Sequence, residues 1–509
     1  MGDEKRVQVL VVGAGLGGLS ATMFLAQRGI QVLGIAKHAG TAIHPKASGQ
    51  TPRTMELMRT AGLADEIFTH DVHGLVIKIA ESLRGRVFKT IIPEDGAMDF
   101  SAFSPAPFGM ASQDEVEPVL LERARQFGAD VRFQTELVSF EQDDTGVTAR
   151  LLDLPTGRLS TVRADYLVGA DGHRSKIRAD LGVERRGRGS LTHHIGIVFD
   201  ADLTDHIAAD KGTLYYLQNP AFTGAFGATN TERRNVLTVE YHPERGEALA
   251  DYTEERCIEL LRVATDVPDL APKIVDITRW EMAAWMADRF SDGRVFLVGD
   301  AAKVTPPTGG MGGNTAVQDG FDIAWKLAAV LNGEAGPGLL DSFDQERRPF
   351  AQQVVDWSYR NYVERLAPHL MGPDVPEEID PLQLFFGYRC RSGAVVAEDD
   401  EPENPFEPTG RPGFRAPHVL VEHDGAQKST VDLFGHGWVL VTLDPAWSPC
   451  EVEVPVLTDP SGQLAARYGI GERGASLVRP DGVVAWRSPD LVLDPVATVR
   501  QVLDSLLDR

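Results

Sequence analysis

Short apolar runs and a stripe of helical spacing alternate at the start of the chain. Val7–Val12 is a nearly continuous apolar run, Leu19–Arg28 carries apolar residues at helical spacing, and Gln31–Ile35 is a second short run. Such runs are typical of parallel strands that are buried on both faces. The order strand, helix, strand therefore predicts a βαβ unit at the start of an α/β fold.

The turn between the first strand and the helix is rich in glycine. Gly13, Gly15 and Gly18 give the pattern GxGxxG. In this position the first glycine turns the chain, the second lets a pyrophosphate approach the backbone, and the third lets helix and sheet pack closely. The pattern alone is weak evidence, but its place between a strand and a helix predicts a dinucleotide site.

The second strand lacks the acid that usually accepts hydrogen bonds from the adenosine ribose, because Ala36 and Lys37 follow Ile35. A basic residue here would suit the 2′-phosphate of a nicotinamide cofactor, but the later motifs argue against that reading. The ribose is expected to be held by other groups, with weaker binding. Lys46 and Arg53 have the charge to neutralise a pyrophosphate, although loop cations are more often solvated.

Two later turns place an aspartate beside a glycine at the end of a predicted strand. Asp171-Gly172 follows the apolar run that starts at Tyr166 and precedes a basic helix, and Gly299-Asp300 follows Arg294–Val298. A Pro/Gly-rich loop, 306–314, then opens a long apolar-striped helix. The start of a helix offers free N–H groups and partial positive charge, which suit a phosphate or a ring that becomes anionic. A purely structural loop is the alternative.

Capping and alternation patterns fill the region between the first glycine-rich turn and Gly299-Asp300. Ser112–Glu115 resembles a helix cap, which allows Gln113 to face a ligand. Residues 184–285 alternate polar and apolar positions and predict an antiparallel sheet, with a helix near Glu254–Ala264. A sheet inserted between the halves of a cofactor domain can cover a flat substrate. The strands predicted in this region are Val131–Phe133, Leu137–Glu141, Val147–Leu152, His194–Phe199, Thr213–Leu217, Phe222–Phe226 and Val236–Tyr241.

Two polar side chains are candidates for contact with a substrate. Tyr215 and Tyr216 alternate along one predicted strand, so one of them should face the substrate and the other should point away. Packing is the alternative role for a strand tyrosine. Arg365 lies on the helix predicted over Asp341–His369, where a surface cation is the alternative.

The end of the chain forms a separate region. The acidic, Pro-rich stretch 401–412 marks a boundary, and alternating strands and turns follow it. Arg479–Gly482 is a hairpin turn. The predicted elements are strands at Thr430–Phe434, Trp438–Leu443, Gly474–Arg479 and Gly482–Trp486, and a helix at Val496–Leu507.

Composition narrows the class of protein. The 509 residues carry a net charge of −24, which argues against tracking nucleic-acid phosphates. The apolar runs are too short to span a membrane, and a strand starts too early to leave room for a signal peptide. Cys257, Cys390 and Cys450 are far apart, which predicts neither a disulfide framework nor a metal cluster and fits the cytoplasm.

The order of the three motifs resembles that of the class A FAD-dependent aromatic hydroxylases, whose fold is that of para-hydroxybenzoate hydroxylase. The amino-acid sequences of residues 15–20, 50–57 and 303–311 are most similar to those of hydroxylases of aromatic polyketides such as anthracyclines and angucyclines. The resemblance implies an α/β fold in three parts: a Rossmann-like FAD-binding domain with its core helices (1–183 and 286–400), an inserted antiparallel-sheet substrate domain (184–285), and a C-terminal thioredoxin-like domain (401–509) that lacks CxxC.

The resemblance also implies roles for individual residues. In relatives an arginine from the helix of Arg365 can reach the substrate. From the strand and the helix that carry them, we expect Tyr216 and Arg365 to flank the substrate near the flavin. Ala36, in place of the family's ribose acid, and Lys46, in place of an arginine, depart from the family pattern. The residues implied in cofactor binding are Gly13, Gly15, Leu16, Gly17, Gly18, Lys37, Lys46, Gln113, Leu137, Asp171, Asp300, Pro307, Gly312, Gly313 and Asn314.

The implied activity is hydroxylation of a polycyclic aromatic polyketide by FAD, NADPH or NADH, and O2, through a flavin C(4a)-hydroperoxide that an electron-rich phenolate attacks. A monomer or homodimer without nucleic-acid or membrane partners is expected. Alternatives are a Baeyer–Villiger or drug-inactivating monooxygenase of the same fold, and a flavoprotein that binds a polyketide without turnover. Halogenation is disfavoured because Trp280–Trp285 does not match WxWxIP.

Overall fold

The computed structural model describes residues 5–67, 75–93, 99–207, 212–228, 234–399, 401–448 and 450–509. Its strands, in chain order, are β1 (Lys5–Val12), β2 (Val32–Ile35), β3 (Ser48–Gln50), β4 (Leu75–Ala80), β5 (Val87–Ile92), β6 (Gly109–Ser112), β7 (Asp130–Arg132), β8 (Thr135–Asp143), β9 (Gly146–Asp153), β10 (Leu159–Gly169), β11 (Arg185–Asp200), β12 (Gly212–Asn219), β13 (Phe222–Ala228), β14 (Arg234–Tyr241), β15 (Lys273–Ala287), β16 (Ser291–Asp292), β17 (Val295–Leu297), β18 (Lys303–Val304), β19 (Leu420–His423), β20 (Ala426–Ser429), β21 (Val439–Thr442), β22 (Ala475–Val478) and β23 (Val484–Ser488).

The α-helices in the same ranges are α1 (Leu16–Gln27), α2 (Pro52–Thr60), α3 (Ala64–Ile67), α4 (Gln113–Gln126), α5 (Lys176–Asp180), α6 (Glu254–Thr265), α7 (Met311–Leu331), α8 (Asp341–Arg365), α9 (Pro381–Phe386), α10 (Leu464–Tyr468) and α11 (Pro495–Leu506). Within the described ranges, none of these helices is both long and apolar enough to cross a lipid bilayer.

The first sheet confirms the predicted βαβ unit. Its main path runs β16-β17-β10-β1-β2-β7, with β1 parallel to β2 and β10, and with β8 and β9 attached through β10. Helix α7 crosses α1 closely because Gly320 has no Cβ, which would lie 2.7 Å from the amide nitrogen of Ala21. The rings of Phe24 and Phe321 meet edge to face at 4.7 Å beside this crossing. The two glycine-rich turns, before α1 and before α7, are thereby held together.

The second sheet runs β18-β15-β11-β14-β13-β12-β4-β5 and is mostly antiparallel. One face packs against α6, where Tyr215, Cys257 and Leu261 share a hydrophobic core. The predicted substrate domain, 184–285, omits β4 and β5, which come from within 1–183. Strand β4 pairs in parallel with β12, more than a hundred residues later, so local alternation did not reveal it. The predicted domain boundaries otherwise stay a prediction.

The C-terminal region, predicted to be thioredoxin-like, contains an antiparallel sheet of β21, β22 and β23 with α11 following it. The predicted hairpin turn is present, with Gly482 at φ 73°. The strand predicted at Thr430–Phe434 is wrong. Thr430–Leu433 is a 3-10 helix, because the Ser429 side chain accepts a hydrogen bond from the amide of Val431 at 3.0 Å and starts a turn.

Candidate active site

A cavity of about 2250 Å³ lies between the carboxyl edge of the first sheet and one face of the second. Small-molecule pockets typically measure roughly 300–1,000 Å³, so this cavity has room for more than one ligand. The predicted site residues that line it are Gly15, Leu16, Gly17, Gly18, Lys46, Gln113, Tyr216, Asp300, Pro307, Gly312, Gly313 and Arg365. Five predicted site residues do not line the described wall of the cavity: Gly13, Lys37, Leu137, Asp171 and Asn314.

The turn after β1 is fixed by close backbone contacts. Gly13 has φ 115°, and a Cβ there would collide with the carbonyl oxygen of Ala170; a Cβ on Gly18 would collide with the carbonyl oxygen of Gly13. Helix α1 starts after Gly15 with no side-chain cap. Its first N–H groups are therefore left for a ligand, and Gly15 lies in the cavity wall, where such groups can bind a pyrophosphate.

The end of β2 is closed by backbone pairing. The amide of Ala36 donates to the carbonyl of Arg132 at 2.9 Å, and the carbonyl of Ala36 accepts from the amide of Thr135 at 2.9 Å. Lys37 is exposed, and Leu137 is buried in the hydrophobic core. Lys46 is exposed at the cavity. The structure thus brings Lys46 to the cavity, whereas cofactor contacts of Lys37 and Leu137 stay predictions.

Gln113 lines the cavity at the start of α4, where the predicted capping box of Ser112 and Glu115 is present. Its amide donates to Glu117 at 2.6 Å, and Glu117 also accepts from the amide of Ala42 at 2.7 Å. Burial raises the pKa of Glu117. Glu117 was not predicted to lie near the site, although its spacing of four residues from Gln113 on a helix was a usable signal.

Asp171 caps α5 instead of lining the cavity. Its carboxylate accepts from the amides of Lys176 at 2.8 Å and Ile177 at 3.1 Å. The neighbouring Arg178 donates to the carbonyl of Ala301 at 2.9 Å and so ties this turn to the Gly299-Asp300 turn. A direct cofactor contact of Asp171 stays a prediction, and the structure supplies a local role for its carboxylate.

Asp300 projects into the cavity from the turn after β17. Its side chain is exposed there, yet the surrounding walls desolvate it, and this raises its pKa despite the nearby Lys303 and His173. The turn is held by the buried Asp319, which accepts from the amide of Gly299 at 3.1 Å and pairs with Lys303. Arg347 donates to the other oxygen of Asp319 at 2.9 Å.

The loop before α7 opens onto the same cavity. Gly310 caps the helix with φ 65° and no side-chain hydrogen bond, and Gly312 and Gly313 lie in the first helical turn. Asn314, which is 3% exposed, accepts from the amide of Thr51 at 2.8 Å. Its amide donates to the carbonyl of Gly310 at 2.8 Å. Asn314 therefore braces the loop, and the helix start fits a flat ring that becomes anionic.

Tyr216 and Arg365 meet at the cavity. An Nη1–H of Arg365 donates to the hydroxyl oxygen of Tyr216 at 3.3 Å and also to the carbonyl of Thr308, in the loop before α7. Nη2 donates to Asn361 Oδ1 at 2.8 Å. Tyr215 points to the opposite face of β12, into the core against α6, as the alternation predicted. The guanidinium thus joins the second sheet, α8 and the glycine-rich loop.

A group of arginines that was not predicted from the sequence also lines the cavity. Arg174, Arg185 and Arg186 are exposed there, and Arg185 lies over the buried Trp285 ring at 5.3 Å. In a chain of net charge −24, such a concentration of cations favours an anionic ligand. The adjacent pair Arg185-Arg186 was the available signal.

Family comparisons cover nearly the whole chain. Residues 6–358 match the family described as FAD binding domain, and residues 409–509 match the family described as aromatic-ring hydroxylase, C-terminal. Aklavinone 12-hydroxylase RdmE of Streptomyces purpurascens is 49% identical, with 100% of both chains covered. A 4-methyl-5-nitrocatechol 5-monooxygenase of Burkholderia sp is 39% identical over 99% of this chain and 98% of that protein.

A solved structure is similar in the same way. The ternary complex of aklavinone-11 hydroxylase with FAD and aklavinone matches the chain with a TM-score of 0.94 at 48% identity, with 100% of each chain covered. The three-part α/β architecture described above is therefore shared with this relative.

Proposed function

Because the chain belongs to the family of FAD-binding aromatic-ring hydroxylases, we propose that it hydroxylates a polycyclic phenolic polyketide held between the 306–314 loop and the second sheet. At the level of class it is an FAD-dependent monooxygenase of aromatic polyketides. The relatives named as aklavinone hydroxylases support a substrate of the same polycyclic type. The non-catalytic alternative loses its support, since the named relatives are hydroxylases and monooxygenases.

The residues of the cavity fit FAD. In the proposed arrangement, the N–H groups at Gly15–Gly18 and the charge of Lys46 hold the pyrophosphate, and Asp300 holds ribityl hydroxyls. Pro307 and Gly312–Gly313 would face the isoalloxazine, where the helix start stabilises negative charge on the ring. FAD, when bound, accepts electrons from a reduced nicotinamide and activates dioxygen for transfer of one oxygen atom.

Tyr216 and Arg365 are proposed to prepare the substrate. A guanidinium only donates hydrogen bonds, so the Tyr216 oxygen accepts from Arg365 and its own O–H remains free to donate to a substrate oxygen. The fixed positive charge of Arg365 favours the phenolate form of a nearby phenol, which is the electron-rich form that oxygenation requires. The contact of this pair with Thr308 is the observation that carries the proposal, because it places the cation beside the glycine-rich loop.

NADPH, or NADH, is proposed as the electron donor, and O2 as the oxidant. The arginines at 174, 185 and 186 support this step, because a pyridine nucleotide carries several negative charges along its pyrophosphate. Removing two of these cations, in Arg185→Gln with Arg186→Gln, should raise the KM for NADPH and leave FAD content and substrate affinity unchanged. An unchanged KM in the double variant contradicts this assignment of the arginines.

The first experiment is to purify the protein and determine its flavin. FAD should be released on denaturation, since it is proposed to bind non-covalently; a protein without flavin that takes up none on reconstitution contradicts the proposal. The holoenzyme is then screened with aromatic polyketides for faster NADPH oxidation. Product analysis separates ring hydroxylation from Baeyer–Villiger insertion, which adds the oxygen into a C–C bond, and from inactivation of a drug.

A further inference from the structure

The cavity face of the second sheet changes character along its strands. In its middle, Ala225, Gly196 and Thr238 offer small side chains, which suit the flat face of an aromatic ring. One step along the strands, His194 of β11 pairs directly with Glu240 of β14 and with Trp280 of β15. Directly paired residues project from the same face of a sheet, and all three of these line the cavity. The row of His194, Glu240 and Trp280 therefore forms a polar edge beside the surface of small side chains.

Helix α8 covers this row with Tyr362. Its side chain is 5% exposed and lines the cavity. Burial, and then the nearby carboxylate of Glu240, raise the pKa of Tyr362 to about 12. The phenol therefore stays protonated and lies within electrostatic reach of that carboxylate. The two polar groups face one another across the same end of the cavity.

Several polar groups at this end have no partner in the part of the chain that the structure describes. Among the described residues, the carboxylate of Glu240, the hydroxyl of Tyr362 and the indole N–H of Trp280 make no hydrogen bond or ion pair. His194 Nε2 meets Thr192 Oγ1 at 2.7 Å, whereas its buried Nδ1 is unpartnered. The His194 ring stacks on Trp280 with centroids 4.4 Å apart. Glu240 and Trp280 are half-buried in the cavity wall, and Tyr362 is almost fully buried there. The few polar groups in the wall of a binding cavity normally orient its ligand, so this cluster indicates a ligand group that completes it.

The hydrogen-bonding capacities of these groups define the ligand group. A carboxylate only accepts, an indole N–H only donates, and a phenol does both. A hydroxyl is the common substituent that can donate to Glu240 and accept from Trp280 or Tyr362. A carbonyl has no proton for Glu240, and an ammonium has no lone pair for Trp280.

We propose that Glu240, Tyr362 and Trp280 form a second polar subsite that binds an alcoholic hydroxyl group on a non-aromatic ring of the substrate. This inference rests on the proposed function, since it assumes a polycyclic polyketide in the cavity. From Tyr216, Glu240 is two strands across and about two residues along the sheet, which places their Cα atoms about 12 Å apart. Two anchors at that separation fix the direction in which a fused-ring system lies, and therefore which ring carbon faces the flavin.

The test uses the FAD-loaded full-length enzyme and two sets of tetracyclic phenols. Each probe of the first set carries one hydroxyl group, at a different position of the saturated ring. The second set is a single deoxy probe, which has only hydrogen at all of those positions. Dissociation constants are measured from the change in flavin absorbance, and KM and kcat from product formation. The wild type should bind one of the hydroxylated probes about tenfold tighter than the deoxy probe, because a hydrogen bond to a charged group is involved.

Glu240→Ala and Tyr362→Phe should remove that preference and leave the affinity for the deoxy probe unchanged within about twofold. Glu240→Gln, which keeps the shape and one acceptor, should retain part of it. Glu259→Gln is the matched control, because Glu259 is exposed on α6 and the change removes the same charge from the same region of the chain. FAD content of each variant checks that it is folded.

Two results would overturn the subsite: equal wild-type affinity for every probe, or an equal loss for hydroxylated and deoxy probes in Glu240→Ala and Glu240→Gln. Failure of the proposed function is a different result, in which no probe is oxygenated by the wild type. Binding preferences can still be measured in that case, so the two failures are distinguishable.

Discussion

Arg365 contacts three elements of the structure. Its removal is predicted to uncouple flavin reduction by NADPH from hydroxylation of the substrate. Arg365→Ala and Tyr216→Phe should still allow NADPH to reduce the flavin, because neither residue lies in the arginine group at 174–186. Hydroxylation should slow, because the phenolate is no longer stabilised, and oxygen should be diverted to hydrogen peroxide. The measurement is the ratio of hydroxylated product to NADPH consumed.

The matched control for that pair is Tyr215→Phe, which removes the same hydroxyl from the opposite face of β12. It should keep wild-type coupling. If Arg365→Ala and Tyr216→Phe also keep wild-type coupling and turnover, the two residues are structural and the phenol loses its proton by another route.

The alanine at position 36 leads to a prediction about the affinity for FAD. Without a carboxylate at the ribose, a charge-assisted hydrogen bond of about 1.5–3 kcal/mol is missing. Ala36→Glu should therefore tighten FAD by about tenfold or more, measured by titration of the apoprotein. His38→Glu places a carboxylate two residues on, at an exposed position, and serves as the control. No gain in Ala36→Glu would show that the ribose is satisfied elsewhere.

Single site residues could be predicted from the sequence where a motif or the alternation along a strand marked them. Tyr216 and Arg365 were proposed together from their elements, and the structure joins them at 3.3 Å. Glu117 and Glu240 were missed, because nothing in a local pattern shows which acids will meet a cavity. Asp171 and Asn314 were found by motif, but their side chains complete turns of the backbone.

The glycine-rich turn before α1 allows a prediction at the scale of an element. Gly13→Ala should abolish FAD binding and destabilise the first sheet, because φ is 115° and a Cβ would collide with the carbonyl of Ala170. Gly29→Ala is the control at the other end of α1: φ is 76°, but no atom lies within 4 Å of the added Cβ. It should cost only about 1–2 kcal/mol of unfolding free energy and keep FAD.

Thermal unfolding and flavin content of the two variants give the comparison. Equal FAD content in Gly13→Ala and Gly29→Ala would contradict a role for that backbone contact in shaping the site.

Elements with local signals were predicted correctly, and elements that depend on distant partners were not. The βαβ unit, the capped α4 and strands β11 to β14 of the second sheet follow from spacing and caps within a few residues. Strands β4, β5 and β15 of that sheet were not recognised, because β4 gains its place from pairing with β12 and β15 from pairing with β11. The 3-10 helix at Thr430–Leu433 was taken for a strand, because its β-branched residues favour one while the Ser429 turn decides otherwise.

At the scale of the whole molecule, a buried ion network joins the C-terminal region to the core helices. Arg479, in the C-terminal hairpin, donates to both oxygens of Glu346 on α8, at 2.6 and 2.8 Å. Lys326 on α7 donates to Glu346 at 3.0 Å and to Asp322 at 2.8 Å. These charges lie next to the Asp319 network that holds the Asp300 turn, so the C-terminal region stabilises the helices that carry the site.

Breaking this network should be costly. Glu346→Gln removes the carboxylate that Arg479 and Lys326 share and leaves each cation with one other acid, Asp481 and Asp322. A buried ion pair that loses one partner costs about 3–5 kcal/mol. Glu398→Gln is the surface control: Glu398 pairs with Arg487 at 2.6 Å, is 38% exposed, and should cost at most about 1 kcal/mol. Denaturant unfolding measures both, and similar losses would contradict the account of the network.

The same network gives stability a dependence on pH. Arg479 and Lys326 hold the pKa of Glu346 well below its usual value of 4.5. A carboxyl group with a lowered folded-state pKa contributes stability that is complete above its unfolded pKa and is lost as the pH falls below it. The difference in unfolding free energy between wild type and Glu346→Gln should therefore shrink as the pH falls below about 4.5. A difference that stays constant or grows there would contradict this assignment.

We expect this chain to transfer one atom of dioxygen to an aromatic polyketide, with FAD as the resident cofactor. The direct measurement is a turnover of the FAD-loaded enzyme with NADPH, a polycyclic phenol and isotopically labelled dioxygen in unlabelled water. The expected product carries one labelled oxygen atom and is formed in step with NADPH consumption. Consumption of NADPH that yields only hydrogen peroxide with every phenol tested, or a product whose new oxygen comes from water, would contradict this expectation.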